Sequence, residues 1–313
     1  LLYWNLGVLA VFCAVLAIIA KRLLPEFSIG LRFSRSTLKM VVGYSTWTIL
    51  YQLFANVLLL FERGWITQRL GADELTHYVV PMALAMQLQA FISSLVLVIF
   101  PLASELKDEK HKLLELYLKA TKAISFIVVF MVASVAVQSS LFLELWMGKD
   151  FAERSSTILI TQMACFGLIS ILSIAWQMTE GLGHPRFNAL TIAVSTTIGV
   201  SLMMVLIGPY GTVGVAVARL AGFALVFLSV FYVEQWFFVR VQVRFWGRLA
   251  VSLLVAAAIA GSIEYGATWL FPPKWLTLFL SVGLGGIAYC VVLWFLDFVT
   301  ADEKLLVRRL VGR

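Results

Sequence analysis

The chain has 313 residues, enough for about two soluble domains at ~150 residues each, but its composition excludes that reading. Hydrophobic residues make up 61%, charged residues only 13%, and mean hydropathy is +0.95, against roughly 45–50% apolar and about 25% charged in soluble domains. The net charge of +7 is no nucleic-acid signal until the basic residues are placed, and lipid is the solvent this chain suits.

A spanning helix needs about 20 mostly apolar residues. Such runs lie near 4–20, 40–61, 77–100, 123–146, 157–179, 189–208, 212–238, 249–271 and 275–298. They predict an all-α, polytopic transmembrane helix bundle of about nine helices. The runs lack the period-2 alternation of a lipid-facing barrel. Pro25, Pro101, Pro185, Pro209, Pro272 and Pro273 fall in the breaks, and Pro81 falls in the first turns of the third run, where a missing N–H is tolerated. The first run begins at Leu1 without a basic start or a cleavage site, so the chain reads as a piece of a longer protein.

In the second run Ser45, Thr48, Gln52 and Asn56 share one helix face. Arg63 continues that face if the helix extends so far. A polar stripe is costly against lipid, so it faces a water-filled cavity or bonds to another helix. Ala83, Gln87, Ala90 and Ser94 form a second stripe in the third run. Between the third and fourth runs, Ser104 to Lys122 alternates leucines with lysines and acids, which predicts a helix lying partly along the interface and running into the fourth run, or a plain solvated one. Ser170, Ser173, Gln177 and Glu180 form a third stripe in the fifth run.

Arg219, inside the seventh run, is the costliest residue in the chain, at ~2.5–3.5 kcal/mol for a central arginine. Two readings stand: a buried pair with Glu264 at similar depth, or a guanidinium that holds phosphate with two parallel hydrogen bonds. Gly214, Ala218 and Gly222 around it repeat every four residues and suit close helix packing.

The connections carry charge asymmetrically. Lys21, Arg22, Arg32, Arg35 and Lys39; Lys107, Lys110, Lys112, Lys119 and Lys122; Arg186; Arg240, Arg244 and Arg248; and Lys304, Arg308, Arg309 and Arg313 all fall on one side. Only Arg63, Arg69, Lys149, Arg154 and Lys274 fall on the other. The rich side is expected in the cytoplasm, with the C-terminus, against anionic headgroups rather than nucleic acid.

Cys13, Cys165 and Cys290 lie far apart inside apolar runs and read as packing residues. His77, His111 and His184 sit at run ends. No HExxH, nucleophile elbow or phosphate loop appears. No catalytic residue, metal site or cofactor is expected, and the chain is not read as an enzyme.

Several stretches resemble the multidrug/oligosaccharidyl-lipid/polysaccharide exporter superfamily, and within it Wzx-type O-antigen and polysaccharide flippases. Phe61-Glu62-Arg63-Gly64-Trp65-Ile66, with Leu70-Gly71-Ala72 and Tyr78 through Pro81, resembles the connection between the first two helices of that family's C-terminal lobe. Phe100-Pro101-Leu102-Ala103-Ser104, Leu145-Trp146-Met147-Gly148, Glu180-Gly181-Leu182-Gly183 with Arg186 and Asn188, and Gly208-Pro209-Tyr210-Gly211-Thr212-Val213-Gly214-Val215-Ala216 follow in family order.

The resemblance implies the C-terminal lobe of a MATE-like fold, with 1–39 holding the last helix of the N-terminal lobe and a cytoplasmic linker. Residues 40–238 would be the six-helix C-terminal lobe, and 239–313 two additional helices and a cytoplasmic tail. Five helices would precede Leu1, in keeping with the odd number that the charge count requires. The implied function is flipping of an undecaprenyl-diphosphate-linked oligosaccharide across the cell inner membrane for surface polysaccharide. The implied partners are the lipid-linked glycan, membrane lipids and other polysaccharide-assembly membrane proteins, with no nucleic acid. Relatives imply coupling to a proton or sodium gradient, for which Glu180, Glu144 and Glu264 are candidates.

Helix-face arithmetic, not motif transfer, assigns sugar contacts to Gln52, Asn56, Gln87 and Gln177, and phosphate or counter-charge roles to Arg63 and Arg219. A cation-coupled multidrug exporter of the same superfamily is the alternative. A membrane polymerase or glycosyltransferase fits less well, because the longest outer connection, 62–76, is only roughly 15 residues.

Overall fold

The computed structural model describes residues 2–23 and 34–298. Their regular elements are all helical, as hydrocarbon demands, because a helix satisfies its own N–H and C=O groups. α1 is Leu2–Leu23, α2 Arg35–Leu70, α3 Ala72–Val96 and α4 the short Ile99–Glu105. α5 runs Lys110–Met147, α6 Lys149–Gly181 and α7 Pro185–Ala224. A 3-10 turn, Leu225–Phe227, leads into α8, Leu228–Phe237, followed by α9, Val243–Leu270, and α10, Trp275–Phe295. Each predicted span falls on these helices. Seven stretches among the described residues are long and apolar enough to cross a membrane, and the chain is a multi-pass membrane protein. Arg32 and Pro25 of the first connection, and Lys304, Arg308, Arg309 and Arg313 of the tail, lie outside the described residues.

Two local expectations hold and one is corrected. The runs at 189–208 and 212–238 are two helical segments within the stretch α7: the chain turns back where Gly211 takes φ 57, ψ −139, which brings Gly222 against Ser195 and Gly199. Pro81 lies well inside α3, because that helix already begins at Ala72. The helix expected to run into the fourth span does so: residues 110–122 are the opening turns of α5. Leu113, Tyr117 and Thr121 bury one face of those turns, while Lys112–Glu109 and Lys119–Glu115 pair at 2.6 Å on the exposed face.

The chain divides into two compact units, Leu1–Ser45 and Thr46–Arg313. The first holds α1 and the opening turns of α2. The described side chains of α1 are exposed nearly all round, and they are apolar apart from Lys21 and Arg22 at its end, as suits a helix bathed in lipid.

In the second unit α6 is central, packing on α3, α4, α5 and α7. Small buried residues on it, including Gly167, Ser170 and Ala175, allow that. A Cβ on Gly167 would lie 2.6 Å from Val132 Cγ2 of α5. α9 and α10 pair with each other and lie on α5, around a smaller core of Leu253, Ala256, Ala260 and Tyr289 against Phe126 and Phe130.

Two junctions are single residues. Gly71 (φ 95) joins α2 to α3, and Gly148 (φ 93) joins α5 to α6. Both take a left-handed conformation that only glycine adopts without strain. At this end Arg154 Nη2 of α6 donates to Asp73 Oδ2 (3.0 Å) and Glu74 Oε1 (2.5 Å) in the first turn of α3. His77 Nδ1 and Ser155 Oγ bond at 2.8 Å, and the His77 ring stacks on Phe151. At the opposite, lysine-rich end the buried Glu234 carboxylate accepts from the Tyr117 hydroxyl (3.0 Å), Trp246 Nε1 (2.6 Å) and the Gln242 backbone N–H (2.6 Å). It ties α5, α8 and α9 together.

Candidate functional site

α2, α3, α6 and α7 enclose a cavity of about 390 Å³, within the size range of ligand pockets. Each helix contributes residues at helical spacing. α2 supplies Tyr51, Gln52, Ala55, Leu58 and Leu59; α3 supplies Met86, Gln89 and Ser93. α6 supplies Phe166, Ser173, Trp176 and Gln177 among others, and α7 supplies Ile192, Arg219 and Phe223. The wall is therefore a mixture of aromatic and aliphatic surface with three amides, three hydroxyls and one guanidinium.

Arg219 is the charged feature of that wall. It is only 4% exposed and its Nη1 donates to Glu62 Oε2 of α2 at 2.8 Å. Met82 Sδ lies 3.0 Å from the same nitrogen. The guanidinium sits over the rings of Phe166 (5.1 Å) and Phe223 (5.9 Å), where ring faces attract a cation. The Tyr78 hydroxyl adjoins the pair, and Gln162 adjoins Tyr78. The pair is neutral overall. Its carboxylate is fully buried, while the guanidinium also borders the cavity.

This corrects the pairing with Glu264. That carboxylate, also buried, receives the Ser134 hydroxyl of α5 at 2.7 Å. Depth along two helices matched Arg219 with Glu264, but depth does not say which helices are neighbours. The pair that forms joins α2 to α7.

At the lysine-rich side of the cavity, the Tyr51 and Trp176 rings meet edge to face at 5.1 Å. Trp176 Nε1 donates to Glu180 Oε1 at 2.9 Å. Arg186 lies over the Trp47 ring at 5.5 Å.

Of the six residues singled out from sequence, Gln52, Gln177 and Arg219 line this cavity together. Asn56 and Arg63 are exposed along α2, and the Asn56 amide donates to the Gln52 carbonyl one turn back. Gln87 opens onto a different groove of about 530 Å³, between α3, α5, α6 and α10, with an almost entirely apolar lining. The face of α3 that meets the cavity is Met86, Gln89 and Ser93. Sequence reasoning passed over these because Ala83, Gln87, Ala90 and Ser94 gave a cleaner polar stripe. Arg63 rests on its spacing of five turns from Ser45 along the same helix face. The usable signal was the apolar spacing Leu58, Glu62, Ile66: all three are buried, so the acid, not its neighbour, points inward.

Among the described residues no group of three or more His, Cys, Asp or Glu side chains is placed to hold a metal. The three cysteines are free thiols.

A family described as polysaccharide biosynthesis protein matches residues 2–156. A Shigella flexneri protein named as an O-antigen transporter is 22% identical over 190 residues, 60% of this chain and 45% of that protein. Among solved structures, the lipid II flippase MurJ in its inward closed conformation superposes with a TM-score of 0.68 at 11% identity, covering 91% of this chain and 57% of that one. A transporter of the MOP superfamily from Pyrococcus furiosus gives a TM-score of 0.51 at 12% identity, covering 82% and 64%. At these identities the structural likeness is one of fold. The chain spans about half the length of the curated relative it matches.

Proposed function

We propose, from its similarity to a polysaccharide biosynthesis family and to an O-antigen transporter, that the chain is a flippase-type protein of the multidrug/oligosaccharidyl-lipid/polysaccharide exporter superfamily and supplies one wall of a transporter that flips an undecaprenyl-diphosphate-linked oligosaccharide across the inner membrane. The observation that carries this reading is the cavity itself, where Gln52, Gln89 and Gln177 share a wall with Arg219 inside a lipid-embedded bundle.

The physical problem is the headgroup. Sugars and a diphosphate cannot cross ~30 Å of hydrocarbon unaided. Amides and hydroxyls can replace water around sugar hydroxyls, and the Tyr51 and Trp176 rings offer apolar faces to sugar rings. Arg219 offers N–H donors to phosphate. Because Glu62 already balances its charge, it serves as an oriented donor rather than as a bare cation. Gln52, Asn56 and Arg63 lie along one face of α2 by helical geometry, and in this reading that face is turned to the other half of the transporter. On α3 the proposed sugar contacts pass from Gln87 to Gln89 and Ser93.

The lysine-rich end is placed in the cytoplasm on the positive-inside rule. Residues 40–238 then form the C-terminal lobe, 1–39 the end of the N-terminal lobe with its linker, and 239–313 two additional helices with a cytoplasmic tail. Transport proceeds by rocking of lobes about the site, driven by a proton or sodium gradient, with no covalent step. Other membrane proteins of polysaccharide assembly are partners in this reading.

Complementation tests it, in cells that lack their surface-polysaccharide flippase and receive the full-length protein. Gln52→Ala with Gln177→Ala is expected to cut surface glycan several-fold at unchanged membrane levels. Full glycan from the double variant would remove the cavity from the mechanism.

A further inference from the structure

A second buried polar group lies outside the cavity, where α9 and α10 meet α5. Glu264 of α9 is 1% exposed. α10 passes so close that a Cβ on Gly285 would lie within van der Waals overlap of the Glu264 carboxyl. From α5, Ser134 Oγ donates to Glu264 Oε1 at 2.7 Å. The Gln138 side chain, one turn on, adjoins the same carboxyl. Among the described residues no lysine, arginine or histidine pairs with it. α5 presents Ser134 and Gln138, and α10 presents Ser281 and Gly285. The next titratable side chain along α10, Tyr289, donates to the Phe126 carbonyl at 3.1 Å.

The hydrogen atoms in this cluster can be assigned in sequence. A serine hydroxyl has one hydrogen to give. Ser281 Oγ gives its own to the Leu278 carbonyl (2.9 Å), so towards Gln138 it can only accept. Gln138 therefore turns Nε2 to Ser281, at 2.9 Å, which leaves Oε1 as the amide atom on the other side. That oxygen is buried without a donor, and so is Glu264 Oε2. Two acceptors without a hydrogen in one buried cluster are unfavourable, and an unpaired carboxylate there is more so. One hydrogen resolves both deficits.

We propose that Glu264, with Gln138, is a proton-binding site: an O–H bond forms at Glu264 Oε2 and donates to Gln138 Oε1. The proton comes from bulk water and returns to it, with no redox partner. A metal cation fits less well, because few oxygens converge here and both serine hydrogens are already directed, one at Glu264 and one at Leu278. Ser134 and Gln138 also border the 530 Å³ groove, which gives the proton a way in. The site is separate from the glycan cavity and stands whether or not the flippase reading does. The occupied site draws α9 and α10 onto α5; the empty one sets a carboxylate against an amide oxygen.

Infrared difference spectroscopy of the purified full-length protein in lipid nanodiscs tests this. A protonated-carboxyl C=O band is expected in the parent protein. It should be absent from Glu264→Gln and displaced to higher frequency in Gln138→Leu, where the acceptor is gone. Glu264→Gln keeps the donor to Gln138 Oε1, so its melting temperature should match the parent's, which guards against a folding defect. An unchanged band in Glu264→Gln would overturn the proposal. So would a band that vanishes when sodium is added at constant pH, since a metal cation then holds the site.

Discussion

Arg219 and Glu62 lie 157 residues apart in sequence and 2.8 Å apart in the bundle. The contact gives α2 a fixed seat against α7. It also decides how the arginine works. A buried pair is held by mutual neutralisation, so one member cannot be removed without exposing the other to hydrocarbon.

That asymmetry sets the first prediction. Arg219→Ala leaves a fully buried carboxylate without its cation and is expected to cost about 3–5 kcal/mol. Replacing both members, Arg219→Met with Glu62→Leu, should recover most of the stability, because an apolar pair of similar volume is often neutral. Adding Glu264→Ala to Arg219→Ala should recover none. Melting temperatures in detergent decide it; a stable Arg219→Ala protein would show that the pair contributes little.

The outer ion cluster should behave differently. Arg154 reaches Asp73 and Glu74, but its side chain is 38% exposed and Asp73 is 75% exposed. Exposed pairs are worth about 0–1 kcal/mol. Arg154→Ala is expected to shift the melting point by only a degree or two, and less in high salt. A loss as large as that of Arg219→Ala would mean that the junction between α3 and α6 depends on this cluster.

Glu234 is a third kind of carboxylate, saturated by three donors. Glu234→Ala would orphan Tyr117, Trp246 and the Gln242 N–H together, with hydrogen bonds to a charged group worth about 1.5–3 kcal/mol each. The expected result is rapid proteolysis at 239–242, between α8 and α9, with the helices themselves intact. Limited digestion followed by mass spectrometry reads this directly. Cleavage no faster than in the parent protein would rule out the tie.

Gly222 tests helix packing without any charge. A Cβ there would come 2.8 Å from the Ser195 carbonyl and 3.0 Å from Gly199 Cα, across the two halves of α7. Gly222→Val is expected to destabilise by about 1–3 kcal/mol through overpacking, whereas Gly266→Val, in open space, should be nearly silent. Equal melting temperatures for the two variants would remove the close approach as a constraint.

Much of the architecture was legible because lipid imposes one rule on every apolar run: close the backbone hydrogen bonds within the segment. The small-residue repeat Gly214, Ala218, Gly222 was read correctly as packing, since all three are buried. What escaped was neighbourhood. Gln52 and Gln177 could each be placed on a face, but the partner of Arg219 depends on which helix lies beside α7, and one sequence contains no such information. The break at Gly-Pro-Tyr-Gly was legible, because proline and glycine interrupt a helix, and the chain does turn back at Gly211.

The length of α5 has a mechanical consequence. Thirty-eight residues at ~1.5 Å each make a rod of about 57 Å, against a hydrocarbon layer of ~30 Å. Its lysine-bearing end therefore stands in water as a mast, and Tyr117 is rigged to Glu234 on that mast. A tilt of the submerged part is magnified at the masthead and hauls on α8 and α9 together.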